Sequence, residues 1–308
     1  MMSAITSQHS YPAINIMQTL ETLKRKIAST QELQTVAKTM KALAAANIRQ
    51  YEQAANALQH YRQTLAMAIQ ILRINYPDTL THLRPRAHPR LGIVIFGSDQ
   101  GMCGRFNEQL SEMVIQHLEQ HSSQGGQPLL LGMGARICDS IIDQGYAIER
   151  YLSVPASVDG ITSKVQTIVV QLEQWRNQCQ VDQIWVFHNQ PIRGHTSTPH
   201  RQQLFPLESD RDRSSSWSTR CRPMVFLSRE RLFSAIFRQH FFVALYQACA
   251  ESLASENASR LTSMQLAQTN IAEHLMELQA AFQQQRQTKI TEELLDIVSG
   301  FEALNQSH

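Results

Sequence analysis

Two glycine-rich turns are the first places in this sequence where a nucleotide could bind. GSDQGMCG, residues 97–104, follows the apolar run RLGIVIF, and GMGARI, residues 132–137, follows QPLLL. A phosphate-binding loop needs Lys and then Ser or Thr after its glycines, and a dinucleotide fingerprint needs a third glycine. Neither segment meets its requirement, so we interpret both as turns between strands and helices.

The histidines raise the possibility of a metal site. His117 and His121 lie four residues apart on a predicted helix, but Leu118 stands where the zinc-protease motif has Glu. We therefore interpret both as exposed helix histidines. Three further histidines fall in a polar segment that we predict to be a loop: His188, His195 and His200. No spacing indicates a catalytic nucleophile, a metal site or a bound cofactor.

The composition excludes several other classes of protein. Lys and Arg number 28 against 26 Asp and Glu, so no strong field favours nucleic acid. The five cysteines are scattered and never form a C-x-x-C pair, which is typical of a reducing compartment. No apolar run approaches the roughly 18 residues of a membrane span. We predict a chain that is neither secreted nor membrane-spanning.

Very long helices are predicted at both ends of the sequence. Residues 13–76 and 224–299 contain neither Gly nor Pro. At about 1.5 Å per residue, each helix would extend roughly 95–110 Å. Apolar residues at steps of 3 and 4 predict the seam of the first helix: Leu33, Val36, Met40, Leu43, Asn47, Tyr51, Ala54, Leu58, Tyr61, Leu65, Ala68 and Leu72.

The C-terminal helix carries a matching seam, which shifts phase before its last members: Leu261, Met264, Gln268, Ile271, Leu275, Leu278, Phe282, Ile290, Leu294, Ile297, Phe301 and Leu304. Apolar seams of this length are unstable alone, so we expect the two helices to pair as an antiparallel coiled coil. The alternative is two separate helices that lie along a globular domain.

Alternating strand and helix patterns fill the middle of the chain. RLGIVIF, QPLLLGM and DQIWVFHN are predicted strands, with helices over 107–121 and 161–175. This alternation predicts a Rossmann-like α/β domain with a largely parallel sheet. We expect a mobile connector from His195 to Arg220. The predicted divisions are a leader over 1–16, a helix over 17–85, the α/β domain over 86–225 and a helix over 226–308.

Four segments together resemble the gamma subunit of F-type ATP synthases. They are LKRKIASTQELQTVAKTMKALAAAN, GSDQGMCGRFNEQL, ENASRLTSMQLAQTN and RQTKITEELLDIVSG. The resemblance covers nearly the whole chain. It implies a central rotor shaft of two antiparallel helices with an α/β domain at its foot, and no enzymatic activity of the subunit alone.

The resemblance also implies a set of partners. The shaft tip would sit inside the ring of alpha and beta subunits, and the foot would rest on epsilon and the membrane ring of c subunits. The complex would lie on the cytoplasmic face of a bacterial inner membrane, or on a thylakoid membrane. The coupling ion, H⁺ or Na⁺, and the balance of ATP synthesis against hydrolysis stay open.

Residues that resemble the rotor contacts of the family lie on both terminal helices: Met40, Lys41, Arg260, Arg286, Gln287, Thr291 and Glu293. The sequence departs from the usual family residues at four positions: Arg105, Asn47, Gln283 and Asp296. These departures leave open a divergent second rotary ATPase, of the sort that some bacteria carry beside their main enzyme.

Two other functions remain alternatives at this point. One is a coiled-coil scaffold whose α/β domain binds an unrelated partner. The other is a nucleotide enzyme with helical arms, which the missing phosphate loops disfavour. Neighbouring genes for alpha, beta, epsilon and c subunits would favour the rotor, and their absence would favour the scaffold.

Overall fold

The computed structural model describes residues 20–76, 89–121, 127–192, 196–206, 224 and 226–305. In chain order, the helices and strands are α1 Leu20–Ala57, α2 Gln59–Asn75, β1 Leu91–Phe96, α3 Phe106–His121, β2 Leu129–Met133, α4 Ala135–Asp143, β3 Arg150–Leu152, α5 Val158–Asn177, β4 Gln183–Ile192, β5 Thr196–Phe205 and α6 Arg229–Asn305. The chain divides into two compact units, residues 1–38 with 267–308 and residues 39–266. The predicted leader lies outside the described residues.

The N-terminal helix is interrupted at Leu58, so the prediction of one continuous helix to residue 76 is wrong. Leu58 has φ −89° and ψ 3°, which lies in the bridge region outside the range of an α-helix. After this residue, α2 packs Leu65 and Leu72 against Ile236 and Val243 of α6. Tyr61 also donates a hydrogen bond to Gln239 across 3.0 Å. The local sequence does not reveal these contacts, which lie at residues distant in the chain.

The buried face of α1 differs from the predicted seam. Leu33, Val36 and Leu43 were placed in the seam, but their side chains are 59%, 51% and 61% exposed. The buried residues are instead Leu23, Ala37, Ala44, Ile48, Tyr51 and Ala54. Small alanine side chains let a neighbouring backbone approach closely, so this face packs well with little apolar area. The predicted seam is therefore wrong at Leu33, Val36 and Leu43, whereas Met40 and Asn47 are half-buried and Tyr51 and Ala54 are buried, as predicted.

The seam of α6 is confirmed as far as Phe282. Met264, Leu275 and Leu278 are buried, and the other predicted seam residues from 261 to 282 are half-buried. Beyond them the prediction fails, because every side chain from residue 286 to 300 is exposed, including those of Ile290, Leu294 and Ile297. The apolar side chains of this part of α6 are therefore left uncovered by the described residues.

The sheet has the strand order β3-β2-β1-β4-β5. β1 pairs in parallel with β2 and β4, β2 pairs in parallel with β3, and β5 runs antiparallel to β4. Ile93 and Ile95 of β1 pack on one face with α3 and α4, whereas Val94 and Phe96 pack on the other with α5 and α6. The largely parallel α/β domain is therefore confirmed, with helices on both faces.

Part of the predicted connector is a strand. Residues 196–205 of the segment from His195 to Arg220 form β5, at the edge of the sheet. Its polar residues suit an edge position, where one side of the strand meets water. His200, predicted in a loop, lies in β5, and His188, which the predicted strand DQIWVFHN also contains, lies in β4; the two rings are 5.4 Å apart. His195 and residues 207–220 lie outside the described residues.

Candidate functional site

The N-terminus of α4 is occupied by a carboxylate of the chain itself. Oδ1 of Asp99 accepts hydrogen bonds from the amide of Ala135, at 2.8 Å, and from the hydroxyl of Tyr151, at 3.0 Å. Its Oδ2 accepts another from the amide of Val154, at 2.8 Å. A helix N-terminus attracts anions, and in nucleotide-binding α/β folds it holds phosphate. Here Asp99 takes that position and ties the turn after β1 to the start of α4.

The turn after β1 is held together by its own polar groups. The amide of Ser98 donates to Oδ1 of Asn107 at 3.1 Å, and Nδ2 of Asn107 donates back to the Ser98 hydroxyl at 2.8 Å. The Ser98 hydroxyl also donates to the carbonyl of Gln100 at 2.9 Å. These bonds leave the turn as a structural corner, in agreement with its interpretation from sequence.

A second polar cluster joins α6 to the sheet around Glu251. Its carboxylate accepts hydrogen bonds from Nε2 of His188 and Nε2 of Gln190, each at 3.0 Å, and from Nε2 of Gln247 at 2.6 Å. Burial alone would raise the pKa of Glu251, but the bonds from His188, Gln247 and Gln190 outweigh burial and lower it. The α2 residue Arg62 extends the cluster by bonding Gln247.

Arg260, one of the predicted rotor contacts, lies inside the fold. Its side chain is paired with Glu256 at 2.6 Å, and both residues are more than 90% buried. Burial raises the pKa of Glu256, and the nearby Arg260 charge partly offsets this effect. Removing one member of such a pair strands the other charge in the interior. The described geometry thus gives Arg260 an internal partner.

The remaining predicted contacts are accessible to different degrees. Arg286, Gln287, Thr291 and Glu293 are exposed along two turns of α6, and the Thr291 hydroxyl donates to the carbonyl of Gln287 at 3.0 Å. Two others lie half-buried on α1, in the larger of the two compact units: Met40 and Lys41. The structure therefore groups only the four C-terminal residues on one exposed stretch of helix.

His117 is buried, and its interpretation as an exposed histidine is wrong. Its ring lies 4.8 Å from that of Trp185 and 5.3 Å from that of Phe187. Nη1 of Arg201 donates to its Nδ1 at 3.2 Å. Burial, reinforced by the positive charges of His121 and Arg201, lowers the pKa of His117 from 6.5 to about 4. No group of three possible metal ligands occurs among the described residues.

This depressed pKa predicts a loss of stability in mild acid. An unfolded chain binds a proton at His117 near pH 6.5, whereas the folded chain binds it only near pH 4. The contribution of neutral His117 is therefore complete above pH 6.5 and is lost as the pH falls toward 4. We expect His117→Gln to flatten the decrease in thermal stability between pH 7 and 4.5. His274→Gln, at an exposed site on α6, controls for the loss of any histidine; equal slopes for wild type and His117→Gln would contradict this account.

Sequence reasoning missed the polar residues that join α6 to the sheet. Ser252, Ser255 and Ser259 lie on one face of α6 at steps of 3 and 4. That spacing was visible in the sequence, but serine carries no apolar signal and was passed over. Asp99 gave no sequence signal at all, because its partners lie 36 to 55 residues further along the chain.

The described residues thus define a mixed α/β protein with long N- and C-terminal helices and a central sheet, in which Asp99 fills the N-terminus of α4. A family model described as ATP synthase matches residues 19–304. The chain belongs to this family, that of the ATP synthase gamma subunit, the non-catalytic central stalk of a complex whose catalysis occurs on the beta subunits.

One curated relative is the ATP synthase gamma chain of Glaesserella parasuis serovar 5 (strain SH0165). It is 25% identical over 271 residues, which cover 86% of this chain and 92% of the relative. The chain thus spans nearly the whole length of that protein. None of the helices in the described residues is long and apolar enough to cross a membrane.

Solved structures share the fold at low sequence identity. The central stalk and c-ring structure of the Tetrahymena thermophila mitochondrial ATP synthase matches with a TM-score of 0.57 and 17% identity, over 75% of this chain and 99% of that one. A rotor structure of the Euglena gracilis enzyme matches with a TM-score of 0.57 and 16% identity, over 88% and 98%. A Euglena gracilis structure of OSCP, F1 and the c-ring matches with a TM-score of 0.60 and 15% identity, over 92% of this chain and 94% of that one.

Proposed function

We propose that this central-stalk subunit couples ion flow through a membrane sector to ATP synthesis or hydrolysis on a ring of alpha and beta subunits. The observation that carries the proposal is the length of α6, an uninterrupted helix of 77 residues. At about 1.5 Å per residue it extends roughly 115 Å. A helix of this length, paired along part of its course, has the stiffness that transmission of torque requires.

We assign the parts of the stalk to the predicted domains. We propose that the helical segments within residues 17–85 and 226–308 form the shaft and that the α/β domain over 86–225 forms the foot. We propose alpha and beta subunits around the shaft, with epsilon and the c-ring at the foot. Association with the membrane is then indirect, at the cytoplasmic face of a bacterial inner membrane or at a thylakoid membrane. We propose no role in this function for a nucleic acid, a cofactor or a metal bound by this chain.

The exposed stretch from Arg286 to Glu293 supplies proposed contacts with the ring. Arg286 presents a guanidinium, which forms strong charge-assisted hydrogen bonds with carboxylates. Gln287 beside it can donate and accept hydrogen bonds. Contacts of this kind must stay weak enough to break at each step of rotation. Met40, Lys41 and Arg260 complete the proposed set. Of these, Arg260 is buried and paired with Glu256 in the described structure.

Arg286→Ala is expected to reduce ATP hydrolysis of the assembled complex by a factor of about 2 to 10. A typical hydrogen bond contributes about 0.5–1.5 kcal/mol, and exposure to water keeps a charged one near this range; about 1.4 kcal/mol corresponds to a factor of ten. Lys289→Ala is the matched control, because it also removes an exposed cation from this stretch of α6. Equal rates for the two variants would contradict a specific role for Arg286.

The proposed function is tested by coexpression of the alpha and beta subunits of the same source, with and without this chain. We expect the three subunits to copurify as one particle with strongly stimulated ATPase activity. A chain that neither binds the ring nor changes its activity would refute the rotor function and favour the scaffold alternative.

A further inference from the structure

Two buried serines connect α6 to the central strands of the sheet. The hydroxyl of Ser252 donates a hydrogen bond to the carbonyl of Phe96 at 2.9 Å. The hydroxyl of Ser255 donates to the carbonyl of Asn189 at 3.1 Å. Both serines are at most 2% exposed, so water does not compete for these bonds. The two acceptors belong to β1 and β4, which are neighbours in the sheet.

These bonds differ from those of most polar side chains within helices. A serine, threonine or asparagine inside a helix commonly bonds the carbonyl four residues earlier. Asn257 and Ser299 of α6 do this, bonding the carbonyls of Leu253 and Leu295, each at 2.8 Å. Ser252 and Ser255 point their hydroxyls across to the sheet instead. Their hydrogen bonds therefore join two elements of the fold.

Three consecutive residues of β4 bond to α6. His188 and Gln190 donate to the carboxylate of Glu251, and the carbonyl of Asn189, between them, accepts from Ser255. Glu251 and Ser255 are one helical turn apart, so they lie on the same face of α6. The side-chain amide of Asn189 also donates to the carbonyl of Phe106 at 3.0 Å, which ties this part of β4 to the start of α3.

Directional bonds give this contact a mechanical property that apolar packing lacks. The apolar core between α6 and the sheet, which includes Leu245, Cys249 and Leu253, resists separation of the two. Apolar contact is non-directional, so it does not by itself fix the orientation of individual groups. A hydrogen bond weakens steeply when its angle or length departs from the optimum. Bonds to the fixed backbone of β1 and β4 therefore oppose rotation of α6 about its own axis.

We propose that Glu251, Ser252 and Ser255 form a torsional latch, which transmits torque between the α/β domain and α6. The latch rests on the proposed rotor function and adds to it the place where the load crosses from the sheet to the helix. Its three members are positioning residues, because they act through the alignment of the helix.

The test uses the complete ATP synthase, with its own membrane sector, reconstituted in lipid vesicles. Ser252→Ala/Ser255→Ala removes the two hydroxyls that bond the sheet. Ser163→Ala/Thr167→Ala is the matched control, because these hydroxyls bond carbonyls of their own helix, α5. The readouts are ions transported per ATP hydrolysed and the torsional stiffness of the rotor. The stiffness is taken from the angular fluctuation of a bead attached to the c-ring while the alpha and beta ring is immobilised.

We expect the latch variant to lose at least about half of its torsional stiffness and to transport at least about twofold fewer ions per ATP than the control. Both values equal to those of the control would overturn the latch. If the double variant does not assemble, Glu251→Gln is measured in the same way, since it preserves side-chain volume but weakens the bonds from His188 and Gln190. Normal stiffness in that variant would overturn the latch as well.

The failure of the latch can be distinguished from the failure of the proposed function. A wild-type chain that neither copurifies with the ring nor stimulates its ATPase overturns the rotor function, and the latch with it. A wild-type chain that couples ion transport to hydrolysis, together with a latch variant that couples equally well, overturns the latch alone.

Discussion

Leu275→Pro is expected to uncouple ATP hydrolysis from ion transport almost completely. Leu275 is a buried seam residue inside the uninterrupted helix α6, with its side chain 7% exposed. Proline removes one hydrogen bond of the helix and clashes with the carbonyl of the preceding turn, at a cost of about 3 kcal/mol or more. Because a shaft under torsion transmits load through every turn, a local break would act as a swivel.

The measurement is ion transport per ATP hydrolysed by the reconstituted complex. Leu275→Met serves as the matched control, since a volume-conserving apolar exchange costs less than about 1.5 kcal/mol and keeps the helix intact. The control should couple as the wild type does. Normal coupling in Leu275→Pro would argue against a load-bearing shaft in this part of α6.

Gly134→Val is expected to destabilise the α/β domain strongly. Gly134 has φ +111°, a backbone conformation that residues with a Cβ rarely adopt. A Cβ at this position would also lie 2.7 Å from the amide nitrogen of Ser98 and 2.8 Å from the carbonyl carbon of Gly97. Backbone strain of about 1–3 kcal/mol and a steric penalty of about 1–3 kcal/mol would act together. Ordinary domains are stable by only about 5–15 kcal/mol.

Gly145→Val separates the two causes, because Gly145 has φ +87° but no atom within 4 Å of the place that a Cβ would occupy. It should therefore show the backbone strain without the clash. The readout is the urea midpoint of the full chain, with the yield of folded protein as a second measure. Equal midpoints for the two variants would show that the close approach of Gly134 to the turn after β1 does not add to the loss of stability.

The α/β domain was predictable because its signals are local. The strands β1, β2 and β4 are short apolar runs, and each is followed or preceded by a helix of clear periodicity. β5 was missed because an edge strand such as Thr196–Phe205 buries few of its side chains and resembles a loop in composition. His117 was misjudged for a related reason: a histidine on a helix does not reveal whether Trp185 will cover it.

The predicted rotor contacts also divide into those whose environment the sequence indicated and those whose environment only folding decided. The exposure of Arg286, Gln287, Thr291 and Glu293 agrees with a contact role, which remains a prediction. Arg260 looked equivalent to them in the sequence, but only folding gives it Glu256 as a buried partner. The spacing of the latch serines was visible in the sequence, but their acceptors were not, because Phe96 and Asn189 lie 156 and 66 residues away from them in the chain.

By itself, the sequence determined that this protein is built from two long terminal helices and a central α/β domain, and its motifs resembled one family. These properties depend on periodicity and on the absence of Gly and Pro over long stretches, both of which act locally. Only the tertiary structure decided which face of α1 is buried, where that helix breaks at Leu58, and which groups join α6 to the sheet. The physical reason is that burial and hydrogen-bond partners depend on residues distant in the chain, which local spacing does not specify.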